Sequence, residues 1–262
     1  MKNIHFLIIL IWVFQSCSST NTISKKDTTE NQTYYILSYN VENLFDTIND
    51  PENDDDFTPS GKLKWDSKKY FEETSHIAQV IESCSKEKDF PVFIGLIEVE
   101  HLSCLQSVCK EKALQNKYTP LLLEGEDERG IDVGCLYDAS RMKVIEVIQH
   151  PVALPDNDKT RHILEVNAEV NGTAFSFYVN HWPSRSGGTE KSAPLRMLAS
   201  ETLQKAIALR MVKQPNCQIV CMGDFNDYPN DASVAALYDH IASQSMTNLM
   251  LKPSEDKNKG SH

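Results

Sequence analysis

Four apolar runs of this chain end in polar side chains, and this pattern constrains the fold more than any other feature. Residues 219–229 read IVCMGDFNDYP, so the apolar run that starts at Ile219 ends at Asp224 and Asn226. The other three runs end in Asn40-Val41-Glu42, in Glu98 and in Asn180-His181. Apolar runs of this length are typical of buried strands, and ligands of layered α/β folds bind at strand ends. The pattern predicts an α/β protein with a site where these strands end.

The pair Asp224 and Asn226 has two interpretations. In an extended chain the two side chains would point to the same face, where a carboxylate beside an amide can hold a water, a metal or a phosphate oxygen. Asp, Asn, Gly and Pro are also the usual residues of turns, so the pair alone is better explained as a turn. Four polar strand ends in one chain favour the site.

Hydrophobic periodicity places the remaining elements. A hairpin over 162–182 should turn at Asn171-Gly172, because Asn-Gly favours two-residue hairpin loops. The other predicted strands cover 33–45, 90–100, 118–125, 131–138, 142–150 and 219–224. The predicted helices cover 67–88, 101–114, 195–212 and 231–243. The sequence shows no internal repeat and no second linker, so residues 34–262 should form one α/β domain.

The N-terminal segment indicates export. Residues 1–16 carry Lys2 and then an apolar stretch too short to span a bilayer, as in a secretory signal peptide. Cys17 follows, and the arrangement resembles a bacterial lipoprotein signal, with a plain signal peptide and an incidental cysteine as the alternative. Residues 17–33 would then be a lipidated cysteine and a polar tether. We expect a protein of the cell envelope, anchored to a membrane on the periplasmic or outer surface.

Charge and cysteine content limit the classes of ligand. The net charge of −11 argues against a broad basic surface for nucleic acid, although a bound divalent cation would still permit a phosphate substrate. Six cysteines follow Cys17, and their spacing fixes no disulfide pairing. No CxxC pair occurs, so a structural zinc site is not expected.

Five motifs occur in an order that resembles a known superfamily. They are YNVENLFD (39–46), GLIEVE (95–100), RGIDVGCLYD (129–138), NHWPSR (180–185) and GDFND (223–227). Together they resemble the successive motifs of the endonuclease/exonuclease/phosphatase superfamily. The resemblance implies a deoxyribonuclease-like, four-layer α/β fold, in which two sheets pack face to face with helices outside and the site at one edge.

The resemblance also implies roles for single residues and a cofactor. The implied catalytic residues are Glu98, His181, Asp224 and Asn226. The implied metal ligands are Glu98, Asn40 and Glu42, for Mg²⁺ or alternatively Mn²⁺ or Ca²⁺. Substrate contacts are implied for Arg129, Asp132 and Arg185, with support of the loop as the better interpretation of Arg129 and Asp132.

The C-terminal residues depart from the superfamily pattern. Its members finish on a late strand with Asp and on a Ser-Asp-His or similar, whereas this chain reads LKPSEDKNKGSH. We therefore expect the chain to lack the last strands of the fold, and His262 is not expected to be the catalytic histidine. If the 262 residues are the complete chain, the Asp/His dyad is missing and weak or absent activity is expected.

The expected function is an exported, metal-dependent phosphoesterase that hydrolyses phosphodiester bonds, as a nuclease or phosphodiesterase does. Its substrate would be nucleic acid or a small or lipid phosphoester. The alternatives are a lipid or small-molecule phosphatase of the same superfamily and a catalytically silent lipoprotein scaffold. No protein partner can be inferred from the sequence.

Overall fold

The first of two β-sheets contains the N-terminal strands. The computed structural model describes residues 7–10, 33–50, 55–85, 89–239 and 246–251. The strands of the first sheet are β1 (Leu7–Leu10), β2 (Tyr35–Leu44), β3 (Phe93–Val99), β4 (Thr119–Leu122) and β5 (Asp132–Tyr137). Their order across the sheet is β1-β2-β3-β5-β4. β2 and β3 pair in parallel, so their carboxyl ends reach the same edge.

The second sheet is built around the predicted hairpin. Its strands, in spatial as well as chain order, are β6 (Met142–His150), β7 (Ile163–Val170), β8 (Thr173–His181) and β9 (Gln218–Asp224). The hairpin of β7 and β8 turns at Asn171 and Gly172, which have φ values of 48° and 78°. Both residues therefore have the positive φ that a type I′ turn requires, and the predicted hairpin is confirmed. β8 and β9 pair in parallel, so their ends also share one edge.

Helices cover the outer faces of the two sheets. In the described ranges they are α1 (Ser67–Ser83), α2 (Leu102–Lys110), α3 (Thr189–Lys213) and α4 (Ala232–Asp239). Buried side chains of α1 and α2 pack on the first sheet, and those of α3 and α4 pack on the second. A third cluster lies between the sheets, where the rings of Phe93 and Phe177 stack with centroids 4.2 Å apart. The predicted four-layer α/β sandwich is confirmed.

Helix boundaries differ from the prediction where local capping decides them. α1 begins after Asp66, whose carboxylate accepts a 3.0 Å hydrogen bond from Lys69 N–H. α2 stops at Lys110, before the predicted end, because Glu111 has an extended ψ of 142°.

α3 starts six residues before the predicted helix and contains Pro194. Proline offers no N–H to the carbonyl of Glu190. Side chains support this first part of the helix instead, since Ser192 Oγ donates to Gly188 O at 2.8 Å and Arg196 Nη2 donates to Thr189 O at 3.2 Å.

Several predictions fall on residues outside the described ranges. Residues 7–10 of the predicted signal peptide form the edge strand β1, whereas its other residues, Cys17 and the tether up to residue 32 lie outside. Residues 252–262, including His262, also lie outside. Within the described part of the chain, no helix is both apolar and long enough to span a bilayer. The six described cysteines are free thiols.

Candidate active site

The polar strand ends meet at one edge of the sandwich. Asn40 of β2 pairs with Ile97 of β3, and His181 of β8 pairs with Asp224 of β9. Because both strand pairs are parallel and the two sheets pack face to face, the carboxyl ends of all four strands reach the same edge. Asn40, Glu98, His181 and Asp224, which we call the four-residue cluster, come together there.

Asn40 connects the two sheets within this cluster. Its amide nitrogen lies 3.2 Å from Glu98 Oε1 and 3.2 Å from Asp224 Oδ2, so both carboxylates accept from one NH₂ group. The Asn40 carbonyl oxygen accepts a 2.9 Å hydrogen bond from Glu42 N–H, which fixes the orientation of the amide. Two carboxylates separated by 126 residues of chain are thereby held on either side of one amide.

Glu98 occupies a β-bulge. Its neighbours Ile97 and Val99 pair with β2 and β5, whereas Glu98 interrupts the register on both sides. Its φ is +67°, a conformation that costs a residue with a side chain on the order of 1–3 kcal/mol. Bulges of this kind re-aim side chains and concentrate at functional sites. The strained backbone directs the Glu98 carboxylate to the four-residue cluster.

His181 is a neutral imidazole at neutral pH. Burial holds its pKa well below the ordinary value of 6.5, and the nearby positive charges of Arg161 and Arg129 lower it further. Its Nε2 lies 3.6 Å from Glu98 Oε1, and its side chain is 3% exposed. The contact with Glu98 is therefore between a carboxylate and an uncharged ring, which leaves the negative charge of Glu98 available to a cation.

The chemistry of these side chains fits a divalent cation. Glu98 and Asp224 are hard oxygen donors that share a single neutral amide, and Mg²⁺ prefers carboxylate, amide and water oxygens. Glu98 has the stronger case as the principal ligand, since it lies at the bulge with Asn40 on one side and His181 on the other. Asn40 orients the two carboxylates through its nitrogen.

Asp224 and Asn226 form a turn that belongs to the site, so the two interpretations of their sequence are compatible. The strand ends at Asp224, and Asn226 has a φ of +50°. Strand alternation, the predicted reason for their shared face, is therefore wrong. Asn226 N–H instead donates to Asp224 Oδ1 at 2.8 Å, and Asn226 Nδ2 donates to Trp182 O at 2.9 Å. Side chain–backbone bonds of this type hold Asx turns.

A close approach between β8 and β9 sets this geometry. Gly223, one residue before Asp224, has a φ of +123°. A Cβ atom at this position would lie 2.0 Å from the carbonyl oxygen of Asn180. Glycine is therefore the residue that lets the strands bring His181 and Asp224 side by side.

Glu42, a predicted metal ligand, is not brought into the four-residue cluster. It is exposed, and its φ of +56° lies in the left-handed region. Its charge acts on Tyr39, whose pKa rises to about 12 through burial first and then through Glu73 and Glu42. Tyr39 packs toward the helices, on the face of β2 opposite Asn40. The backbone N–H of Glu42 supports Asn40. Among the described residues, no hydrogen bond or ion pair joins its carboxylate to the four-residue cluster.

Arg129 and Arg185 flank the edge, at exposures of 52% and 31%. Arg129 Nε lies 3.5 Å from Asp127 Oδ1. The Arg185 guanidinium lies 4.6 Å from the ring centroid of Tyr228 and 3.9 Å from Asp231. Both arginines are thus accessible to a substrate at the edge.

Asp132 supports a loop and is too buried for the predicted substrate contact, at 5% exposure. Its Oδ2 accepts a 3.0 Å hydrogen bond from Gly125 N–H. Burial raises its pKa to about 7, although the bond from Gly125 opposes this shift.

This raised pKa predicts a pH-dependent stability. The native state favours the protonated carboxyl of Asp132. The contribution of this group to the unfolding free energy is therefore complete below pH 4 and is lost as the pH rises through about 7. An amide at this position would be neutral throughout and would keep the acceptor for Gly125. We expect the unfolding free energy of Asp132→Asn, relative to the native chain, to rise by about 2 kcal/mol between pH 5 and pH 8. Urea unfolding at both values measures this, with exposed Asp158→Asn as the control. A difference of equal size at both pH values would contradict the prediction.

Two residues of the site were not predicted from the sequence. Arg161 is 6% exposed and donates from Nη1 to Asp127 Oδ2 at 2.9 Å and from Nη2 to Trp182 O at 2.8 Å. Arg161 precedes an apolar strand, and Asp127 lies in the acidic stretch EGEDERG. Charged residues at such positions are usually solvated, so the sequence carries no signal for either. The Trp182 side chain is part of the core, since it is 1% exposed and packs edge-on against the Phe225 ring with centroids 4.8 Å apart.

A second group of potential ligands lies near this edge. Asp50, Glu100 and His101 place ligand atoms within 4.8 Å of one another. His101 Nε2 bonds to Asp50 at 2.8 Å, and its Nδ1 bonds to Glu124 at 3.1 Å. Burial lowers the pKa of His101, but the Asp50 hydrogen bond and the acidic neighbours raise it to about 9. A protonated imidazole with both nitrogens engaged forms an ion-pair network and offers no lone pair to a metal.

Solved structures share this fold at low sequence identity. A functionally unknown conserved protein from Enterococcus faecalis V583 aligns with a TM-score of 0.53 and 17% identity, over 77% of this chain and 70% of that one. The human nocturnin catalytic domain aligns with a TM-score of 0.51 and 15% identity, over 64% and 63%. TDP2 from C. elegans aligns with a TM-score of 0.51 and 14% identity, over 73% and 47%.

The chain spans less than two thirds of the nocturnin domain and about half of the TDP2 chain. No curated protein matches the sequence. The model of the Endonuclease/Exonuclease/phosphatase family matches residues 35–262, which include the four-residue cluster. Members of that family are hydrolases that act on phosphoesters and generally depend on a divalent metal. With a match over most of its length, this chain belongs to the Endonuclease/Exonuclease/phosphatase family.

Proposed function

We propose that this chain is an exported, Mg²⁺-dependent hydrolase of phosphodiester bonds, of the nuclease or phosphodiesterase type. The observation that carries the proposal is the shared amide of Asn40, which holds the carboxylates of Glu98 and Asp224 together beside the neutral imidazole of His181. Two carboxylates that can bind a cation and an uncharged imidazole that can donate to phosphate thus lie at the same edge of the sandwich.

Each side chain supplies one part of phosphodiester hydrolysis. A divalent cation at Glu98 would neutralise the charge that develops on the phosphate oxygens. Asp224, whose Oδ1 is fixed by the Asn226 N–H, accepts a hydrogen bond from the attacking water and orients it. His181 donates an N–H to a phosphate oxygen from Nε2, the nitrogen that faces the cluster. Arg185 contacts the substrate from the rim.

The test is hydrolysis of bis(4-nitrophenyl) phosphate by the purified chain. We expect hydrolysis with Mg²⁺, loss on addition of EDTA, and recovery when Mg²⁺ is restored, with Mn²⁺ and Ca²⁺ compared in the same assay. His181→Ala and Asp224→Ala should each lower the rate about 10²–10³-fold, the usual effect of losing one donor to a developing charge. The control is Glu126→Gln, which removes a carboxylate from an exposed ion pair with Lys159. A folded native chain without hydrolysis would favour the silent scaffold.

The substrate class is separated by three further assays. Nicking of a supercoiled plasmid, release of phosphocholine from sphingomyelin and release of phosphate from nucleotides distinguish a nuclease from a lipid phosphodiesterase and from a phosphatase. The net charge of −11 would repel long duplex DNA and slightly favours a small or lipid-linked phosphoester.

Export and anchoring form a separate part of the proposal and rest on residues 1–33 alone. We expect the native chain in the membrane fraction of a bacterial host, labelled by a fatty-acid analogue. Cys17→Ser should remove the label and release the protein from that fraction, because lipidation requires the thiol. An unlabelled native chain, or a labelled Cys17→Ser chain, would refute the anchor without affecting the proposed hydrolysis.

A further inference from the structure

We propose that Arg161, held by Asp127, is a positioning residue that sets the Asn226 amide through the carbonyl of Trp182. The inference rests on the proposed hydrolase function. It concerns a residue that does not itself belong to the four-residue cluster.

The first observation is the shared acceptor. Trp182 O accepts from Arg161 Nη2 at 2.8 Å and from Asn226 Nδ2 at 2.9 Å. A carbonyl oxygen has two lone pairs, so these donors use its full capacity. The orientation of the Asn226 amide is therefore tied to the guanidinium. Asn226 in turn donates its backbone N–H to Asp224 Oδ1, which links the guanidinium to the carboxylate that orients water.

The second observation is the way the guanidinium is held. Asp127 accepts from Arg161 Nη1 at 2.9 Å, and both side chains are about nine-tenths or more buried. The Arg161 guanidinium thus connects the carboxylate of Asp127, in the loop before β5, with the carbonyl of Trp182, directly after β8. Lysine has a single ammonium and no planar fork, so it cannot reproduce both bonds in this geometry.

The third observation concerns charge. Asp127 also pairs with Arg129, so two guanidinium groups face one carboxylate on this wall. At this contact Asp127 balances one of the two guanidinium charges, and the other is a suitable partner for a phosphate oxygen.

A matched control exists at the opposite end of the sandwich. Arg141 also bridges carboxylates and a backbone carbonyl, through Nη1 to Asp89 at 2.7 Å, Nε to Asp138 at 2.9 Å and Nη2 to Phe90 O at 2.5 Å. These residues adjoin the amino end of β3, far from the four-residue cluster. A purely structural role of Arg161 would make its removal resemble the removal of Arg141.

The test is a double-mutant cycle on phosphodiester hydrolysis. We expect Arg161→Met to lower kcat about 10²-fold with little change in KM, as a misplaced positioning group does, while Arg141→Met lowers stability only. Arg161→Lys should recover part of kcat. If Arg161 acts through Asn226, then Arg161→Met should add less than about threefold to the loss caused by Asn226→Ala. Equal kcat in Arg161→Met and Arg141→Met, or independent losses in the cycle, would overturn the proposal.

A readout without turnover separates this inference from the proposed function. In ¹⁵N-labelled protein, the Asn226 side-chain amide should shift and exchange faster with water in Arg161→Met, but not in Arg141→Met. If the native chain hydrolyses no phosphodiester, the proposed function fails, and this resonance still reports whether Arg161 positions Asn226. An unchanged Asn226 resonance in Arg161→Met would overturn the inference for any activity of the native chain.

Discussion

Glu98→Gln is expected to lower kcat/KM for phosphodiester hydrolysis about 10³-fold. Glutamine has almost the same volume and still offers an oxygen to Asn40 Nδ2, which lies 3.2 Å from Glu98 Oε1. What disappears is the negative charge that a divalent cation requires. Mg²⁺ titration monitored by isothermal calorimetry should therefore show weaker binding in parallel with the lost rate.

The control for this substitution is Glu124→Gln. Glu124 is 60% exposed and bonds to His101, outside the four-residue cluster. Its substitution removes the same charge from the same end of the fold, so a general electrostatic effect would appear in both variants. Native activity in Glu98→Gln would refute the assignment of Glu98 as the principal ligand of the cation.

Gly223→Ala is expected to cost about 3 kcal/mol of unfolding free energy and to lower activity as well. The backbone φ of +123° is rarely adopted by residues with a side chain, and the new Cβ would lie 2.0 Å from Asn180 O. Because the contact is with backbone, β8 and β9 must separate to relieve it. His181 and Asp224, which pair across these strands, would move with them. Urea unfolding and the hydrolysis assay measure the two effects.

Gly172→Ala separates backbone strain from the steric clash. Gly172 has a φ of +78° in the hairpin turn, and beyond its two chain neighbours no atom lies within 4 Å of an added Cβ. We expect this substitution to cost about 1 kcal/mol and to leave activity unchanged. Equal losses in the two variants would show that the approach of β8 and β9 is not what requires glycine at residue 223.

The strands could be predicted from sequence because their hydrophobic pattern is local. The run that ends at Glu98 and the hairpin around Asn171-Gly172 need no knowledge of distant residues, and both are confirmed. Exact helix ends depended on particular groups instead. α3 begins before Pro194 because the side chains of Ser192 and Arg196 donate hydrogen bonds to carbonyl oxygens at its N-terminal end.

The candidate site was predictable only for side chains at the ends of apolar runs. Asn40, Glu98, His181 and Asp224 stand out because a carboxylate, amide or imidazole follows a buried strand. Arg161 has no such signal, since its role depends on Asp127 and Trp182 O, 34 and 21 residues away. The alternation that suggests a shared face for Asp224 and Asn226 also fails, because β9 ends at Asp224 and Asn226 has a φ of +50°.

The sequence by itself determined the α/β layering, the hairpin and the polar residues that end the strands, since these follow from side-chain polarity at a period of two or 3.6 residues. Only the tertiary structure decided which of those residues meet. One amide of Asn40 lies between two carboxylates because two parallel strand pairs, one in each sheet, end at the same edge. Distances across the sandwich depend on packing and register, and neither is written in any local stretch of the chain.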